Sequence, residues 1–65
     1  MLSLDAKKLL NFMYSNKSLL RNSSIAMSVI KKKDRQTHKV IKELTDNTIM
    51  ERIGSNKTRY WKIIN

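Results

Sequence analysis

Apolar residues recur along this chain with two different periods, and the change of period divides it. Ala6, Leu9, Leu10, Met13 and Tyr14 recur at helical spacing, which predicts a first helix capped by Ser3 or Asp5 and ending near Asn16. Lys7, Lys8 and Asn11 fall mainly on its other faces. Residues 17–20 are too few for a helix, and Leu19 and Leu20 suit a brief extended segment. Ser23 or Ser24 is placed to cap a second helix over 25–30. Its Ile25, Ala26, Val29 and Ile30 form a core stripe, with Met27 as a gap filler.

Three lysines, Lys31, Lys32 and Lys33, then interrupt the pattern. Asp34 follows as a cap or first-turn acid for a third helix over 34–46. On that helix Thr37, Val40, Ile41 and Leu44 share one side. Arg35, Lys39 and Lys42 point the other way, with Gln36 and His38 on the flanks. The helix is expected to stop over 46–48, with Asn47 taking the left-handed conformation.

Beyond it the period becomes two. Residues 49–53 and 59–64 are rich in β-branched and aromatic side chains, and a five-residue loop holding Gly54 joins them, which predicts a β-hairpin. A two-stranded hairpin is marginal alone in water. It should therefore lay one face on the helices, with Trp61 and Ile63 as the inward pair. The expected fold is α+β: three helices and a C-terminal two-stranded hairpin in one domain, 1–65.

Charge changes this picture from fold to partner. Fourteen Lys and Arg against five Asp and Glu give a formal charge of +9 on 65 residues. Such an excess repels itself and suits a polyanion, nucleic acid first and anionic lipid second. No apolar run approaches the ~18 residues of a membrane span, and residues 1–5 lack the basic start and apolar block of a signal peptide. The expectation is an intracellular protein with no membrane partner. A basic amphipathic peptide lying on a lipid surface is disfavoured by the hairpin pattern. With no cysteine, neither a disulfide nor a thiolate metal site can brace the fold.

The catalytic inventory is thin. Asp5, Asp34, Glu43, Glu51 and Asp46 are scattered, each explicable as a cap or a local ion-pair partner. His38 is the only histidine and has no ligand spacing around it, so no metal or cofactor is expected. One glycine cannot make a phosphate-cradling loop. The chain is not expected to be an enzyme.

The basic residues are better ordered than composition requires. A short second helix, a lysine-rich turn and a third helix with one apolar and one cationic face describe a helix-turn-helix. Arg35, Gln36, His38, Lys39 and Lys42 would be free to enter a DNA major groove about 12 Å wide. Arginine can pair two-pronged with guanine and glutamine with adenine, while the lysines, including Lys32 and Lys33, serve phosphates.

The run IMERIGSNKTRYWKI, residues 49–63, resembles the closing wing of winged helix-turn-helix domains found at the C-termini of bacterial and archaeal transcription regulators. These include regulators attached to divergent ATPase or Fic modules. Met50 through Ser55, Lys57 and Tyr60 through Ile63 meet most of that pattern. Thr37, Val40, Ile41, Lys42 and Leu44 are similar to the family's recognition helix. The likeness covers about half the chain well and the rest by order of elements.

The resemblance implies double-stranded DNA binding and transcription regulation. Ser55, Asn56, Lys57, Thr58 and Arg59 would be a wing tip lying along phosphates or in the minor groove. Three departures stand out, all at places where the family carries glycine: the turn at Lys31 and Lys32, the approach to the hairpin at Asn47 and Thr48, and Arg59 before the Tyr-Trp pair. The last adds a charge that suits a phosphate.

Three other partners fit parts of the pattern. The same fold can dock a protein through its first helix or wing, and charge alone does not separate RNA from DNA. Domains that bind left-handed Z-form nucleic acid are also winged helices ending in Trp-Lys-Ile. They carry Asn and Tyr on the third helix and a proline pair before the Trp, where this chain has His38, Lys42, Arg59 and Tyr60. Pairing of two copies is open, with Phe12 and Tyr14 on the first helix as the obvious surface.

Overall fold

A computed structural model describes residues 2–54 and 59–64. Helix α1 spans Leu4–Tyr14. Ser3 caps it, its hydroxyl oxygen accepting the Ala6 N–H at 3.2 Å, and Asp5 sits in the first turn where the helix dipole favours an acid. Ala6, Leu9 and Met13 are buried, whereas Tyr14 faces solvent. The helix stops two residues short of Asn16. The Asn16 amide donates instead to the Phe12 carbonyl at 2.8 Å, and the Ser18 N–H to the Met13 carbonyl at 2.7 Å. Two consecutive left-handed residues, Lys17 at φ 61° and Ser18 at φ 59°, make this reversal without glycine.

Strand β1 is Leu19–Leu20 and helix α2 is Ser23–Ile30. The cap of α2 is Asn22 rather than Ser23 or Ser24. Its backbone is extended (φ −158°, ψ 165°) and its side-chain oxygen accepts the Ile25 N–H at 3.0 Å, whereas Ser23 is already helical. Ala26 and Ile30 are buried, and Lys31 ends the helix in the left-handed region at φ 57°.

Helix α3 runs Asp34–Asp46, as the periodicity predicts, with Thr37, Val40, Ile41 and Leu44 buried. Lys33 occupies the cap position without a capping side chain, so Asp34 serves as first-turn acid. The buried Thr37 hydroxyl donates to the Lys33 carbonyl at 2.9 Å. At the other end the left-handed residue is Thr48 (φ 58°) and not Asn47 (φ −88°). Asn47 instead donates its side-chain amide (2.7 Å) and its backbone N–H (3.1 Å) to the Glu43 carbonyl, which holds it near the helical region.

Strands β2, Met50–Ile53, and β3, Tyr60–Ile63, form the hairpin, but the sheet has three antiparallel strands in the order β1-β3-β2. Leu19 pairs with Lys62 and Leu20 with Trp61, so the short segment after α1 supplies the third strand. Its contribution supports a hairpin that two strands alone would leave marginal. Ile53 faces Tyr60, which leaves Arg59 outside the strand and makes the connection one residue longer than expected. The inward alternation holds, but Met50 and Ile63 carry the deep burial while Trp61 is half-buried.

One core joins all six elements: Leu9 and Met13 of α1, Ala26 and Ile30 of α2, Val40 and Leu44 of α3, and Leu20, Met50 and Ile63 of the sheet. Glu43 ties α3 to the start of α1. Its two carboxylate oxygens accept the Ser3 N–H and the Ser3 hydroxyl, each at 2.8 Å. The Ser3 backbone N–H first, and its hydroxyl second, hold the Glu43 carboxyl below its usual 4.5.

Two outcomes follow from these contacts. A β-branched residue at positive φ is strained, so Thr48→Gly should raise stability by about 1 kcal/mol, or roughly 4–8 °C in Tm by thermal circular dichroism. Glu43 has a depressed folded pKa, so its stabilisation is present above pH 4.5 and is lost as pH falls through the folded value. Glu43→Gln should therefore be less stable than the parent at pH 7, and their urea midpoints should converge as pH falls from 4.5 through the folded value.

Candidate nucleic-acid interface

The apolar stripe of α3 fixes which of its side chains face outward. Because Thr37, Val40, Ile41 and Leu44 lie inside, Arg35, His38, Lys39 and Lys42 are exposed on the far side. Gln36 is exposed too, but it does not belong with His38. Residues two apart on a helix do not face each other. Gln36 lies on the flank that carries Glu43, toward α1, whereas His38, Lys42 and Thr45 lie on the flank facing the sheet.

Local contacts set what each of these side chains can offer. His38 Nδ1 lies 3.0 Å from the Asp34 carbonyl oxygen and 3.3 Å from the Asp34 Oδ1. Two acceptors at Nδ1 place a proton there, which leaves Nε2 as the ring nitrogen free to meet a ligand. Lys42 Nζ pairs with Asp46 Oδ2 at 3.4 Å, one turn on, and both side chains are mostly exposed. Such a pair is weak and open to competition by a phosphate. No carboxylate lies within ion-pair distance of Arg35 or Lys39 among the described residues.

Lys32 and Lys33 are exposed where the chain enters α3, their carbonyls turned toward the Thr37 hydroxyl. Arg59 is exposed immediately before β3. The expected contacts at Ser55, Asn56, Lys57 and Thr58 lie outside the described residues. Arg35, Lys39 and Lys42 thus share the outward face of α3, with Gln36 on its α1-side margin and Lys32 and Lys33 exposed just before the helix begins.

Two residues expected to serve only the fold also reach this surface. Arg52 stands directly opposite Trp61 in the β2–β3 ladder, and its guanidinium carbon lies 5.1 Å from the Trp61 ring centroid. Both line an open groove of about 590 Å³ between α3 and the sheet, walled on the helix side by His38, Ile41, Lys42 and Thr45. The signal that could have found them is the cross-strand register. It stayed hidden because a connection one residue shorter would set Arg52 against Tyr60.

Elsewhere, a recess of about 290 Å³ lies between the end of α1, β1 and α2, with Phe12, Leu19 and Ile25 inside and Lys17 and Arg21 on its wall. Phe12 is half-buried there while Tyr14 is 58% exposed, and the two are too close in sequence to share a helix face, so they do not make one pairing surface. Among the described residues, no three His, Asp or Glu side chains converge as metal ligands would, and no helix is long and apolar enough to cross a membrane.

Comparison of the chain with family models, curated proteins and solved structures finds no match.

Proposed function

We propose that this chain is a winged helix-turn-helix module that binds double-stranded DNA and acts in transcription regulation, by binding and without catalysis. The observation that carries this is the two-sided character of α3. Its apolar face is locked in the core while Arg35, Lys39 and Lys42 stand in solvent on a protein of charge +9. The order of elements, three helices with a β2–β3 hairpin after them, is compatible with the fold. The turns at Lys31 and Thr48 add support. Both are left-handed, the conformation glycine supplies, at the places where the family that the chain resembles carries glycine.

In this reading α3 lies in the major groove. Arg35 pairs with guanine and Gln36 reaches the opposite wall, since it projects from the other flank. Lys39, Lys42, Lys32 and Lys33 take phosphates, and the connection over 54–59 follows the flanking backbone. A cytoplasmic or nucleoid location goes with this role. The recess at Phe12, Leu19 and Ile25, with Lys17 and Arg21 beside it, favours a second reading in which an acidic protein segment docks there. That reading predicts no affinity for duplex DNA even at low salt.

If five or six phosphates are neutralised, log affinity should fall with log salt at a slope of about −5, each phosphate contributing ~0.9. A slope near zero contradicts the proposal. Lys39→Ala should weaken all sequences alike, whereas Arg35→Ala should cost about 1–3 kcal/mol on the preferred sequence alone. Asp46→Asn, by releasing Lys42 from its ion pair, should tighten binding, read by fluorescence anisotropy of a labelled duplex.

A further inference from the structure

The groove between α3 and the sheet combines features that a solvated basic surface does not need. Its floor is apolar, with Ile41 and Met50 from the two walls and the half-buried Trp61. Its walls carry cations from different elements: Lys42 on the helix side and Arg52 on the sheet side, with His38 one turn before Lys42. The one acid among its described lining residues, Glu51, stands opposite Lys62 in the β2–β3 register.

Arg52 is exposed, yet it is not a loose side chain. Its guanidinium sits 5.1 Å from the Trp61 ring centroid. A guanidinium held over an aromatic face keeps its in-plane N–H donors available. Those donors match the paired oxygens of a phosphate. Holding the arginine in place beforehand also reduces the side-chain freedom lost when a ligand arrives.

We propose that this groove is a phosphodiester site. One strand of the nucleic acid bound by α3 passes along it, with a phosphate held between Arg52 and Lys42 and the adjoining sugar against Trp61 and Ile41. Arg52 makes the contact, and Trp61 is a positioning residue that also forms part of the floor. This rests on the nucleic-acid reading of α3 and adds to it a second surface on the strands themselves, apart from the wing tip. The phosphate would draw Lys42 from Asp46, an exchange of one exposed anion for another.

Trp61 is the only tryptophan in the chain, so its fluorescence reports on the groove alone. The test uses a labelled 20-bp duplex, with anisotropy to measure binding and Trp61 emission and acrylamide quenching to observe the groove. Duplex binding should shift the emission and protect Trp61 from acrylamide. Arg52→Gln should weaken binding about tenfold, as for loss of one charge-assisted contact. It should also make the salt slope shallower by about 0.9. Arg52→Lys should keep most of the slope but bind several-fold weaker than the parent, and Trp61→Phe should resemble it, with far-UV circular dichroism confirming that each variant is folded.

Lys7→Gln, which removes the same charge from the exposed side of α1, should change affinity less than twofold. The groove site is overturned if the parent binds the duplex by anisotropy while Trp61 stays unprotected and Arg52→Gln matches Lys7→Gln. The DNA reading survives that result. If the parent shows no anisotropy change at low salt, both fall.

Discussion

Burial of one face of α3 is the constraint on which the rest of this protein depends. Leu44 and Thr37 are fully buried, and Val40 and Ile41 are nearly so, at the meeting point of α1, α2 and the sheet. Removing a buried leucine side chain costs roughly 2–5 kcal/mol. A 65-residue domain at ~0.05–0.15 kcal/mol per residue has only about 3–10 kcal/mol of stability in total. The face is therefore nearly the whole margin. Its fixed orientation decides that Arg35, Lys39 and Lys42 face outward, that His38 and Lys42 border the groove, and that Gln36 and Glu43 turn toward α1.

The turns around that face are made against the grain of local preference. Among the described residues four that are not glycine, Lys17, Ser18, Lys31 and Thr48, hold positive φ, while the single glycine, Gly54, is spent in the hairpin connection at φ 105°. Each left-handed non-glycine residue costs of order 1–3 kcal/mol and persists only where its surroundings over-determine it. Here hydrogen bonds do so: Ser18 to the Met13 carbonyl, Thr48 to the Thr45 carbonyl, and Asn47 to Glu43. Two of the four strained positions are lysines. A ligand that neutralises Lys31, next to the entry of α3, and binds only the folded chain would add stability by mass action.

Much of the helical framework was legible in the sequence. The Ser3 cap, the 34–46 helix and its four buried residues follow from period and capping chemistry, because those signals are local. The missing pieces are all non-local or combinatorial. Leu19 and Leu20 are too few to show a period, and only the Trp61 and Lys62 backbone makes them a strand. Glu43 reads as a local ion-pair partner, yet its carboxylate reaches Ser3, forty residues away. Asn47 has the better left-handed propensity, but its side chain finds the Glu43 carbonyl and passes the reversal to Thr48. Arg52 and Trp61 meet only because the hairpin connection is one residue longer than its composition suggests. For the candidate site, the cations of α3 and the flank positions of Gln36 and His38 were visible in advance, and the groove shared with the sheet was not.

The central claim is that α3 and the facing strands together form one nucleic-acid surface, while α1 serves the core. Amide chemical-shift mapping of the folded protein, titrated with duplex DNA, tests it most directly. The account predicts the largest shifts from Lys32 through Lys42, at Arg52 and Arg59, and at the Trp61 indole, with α1 residues Lys7, Lys8 and Asn11 unmoved. Shifts concentrated around Phe12, Lys17 and Arg21, or no shifts at low salt, would contradict it.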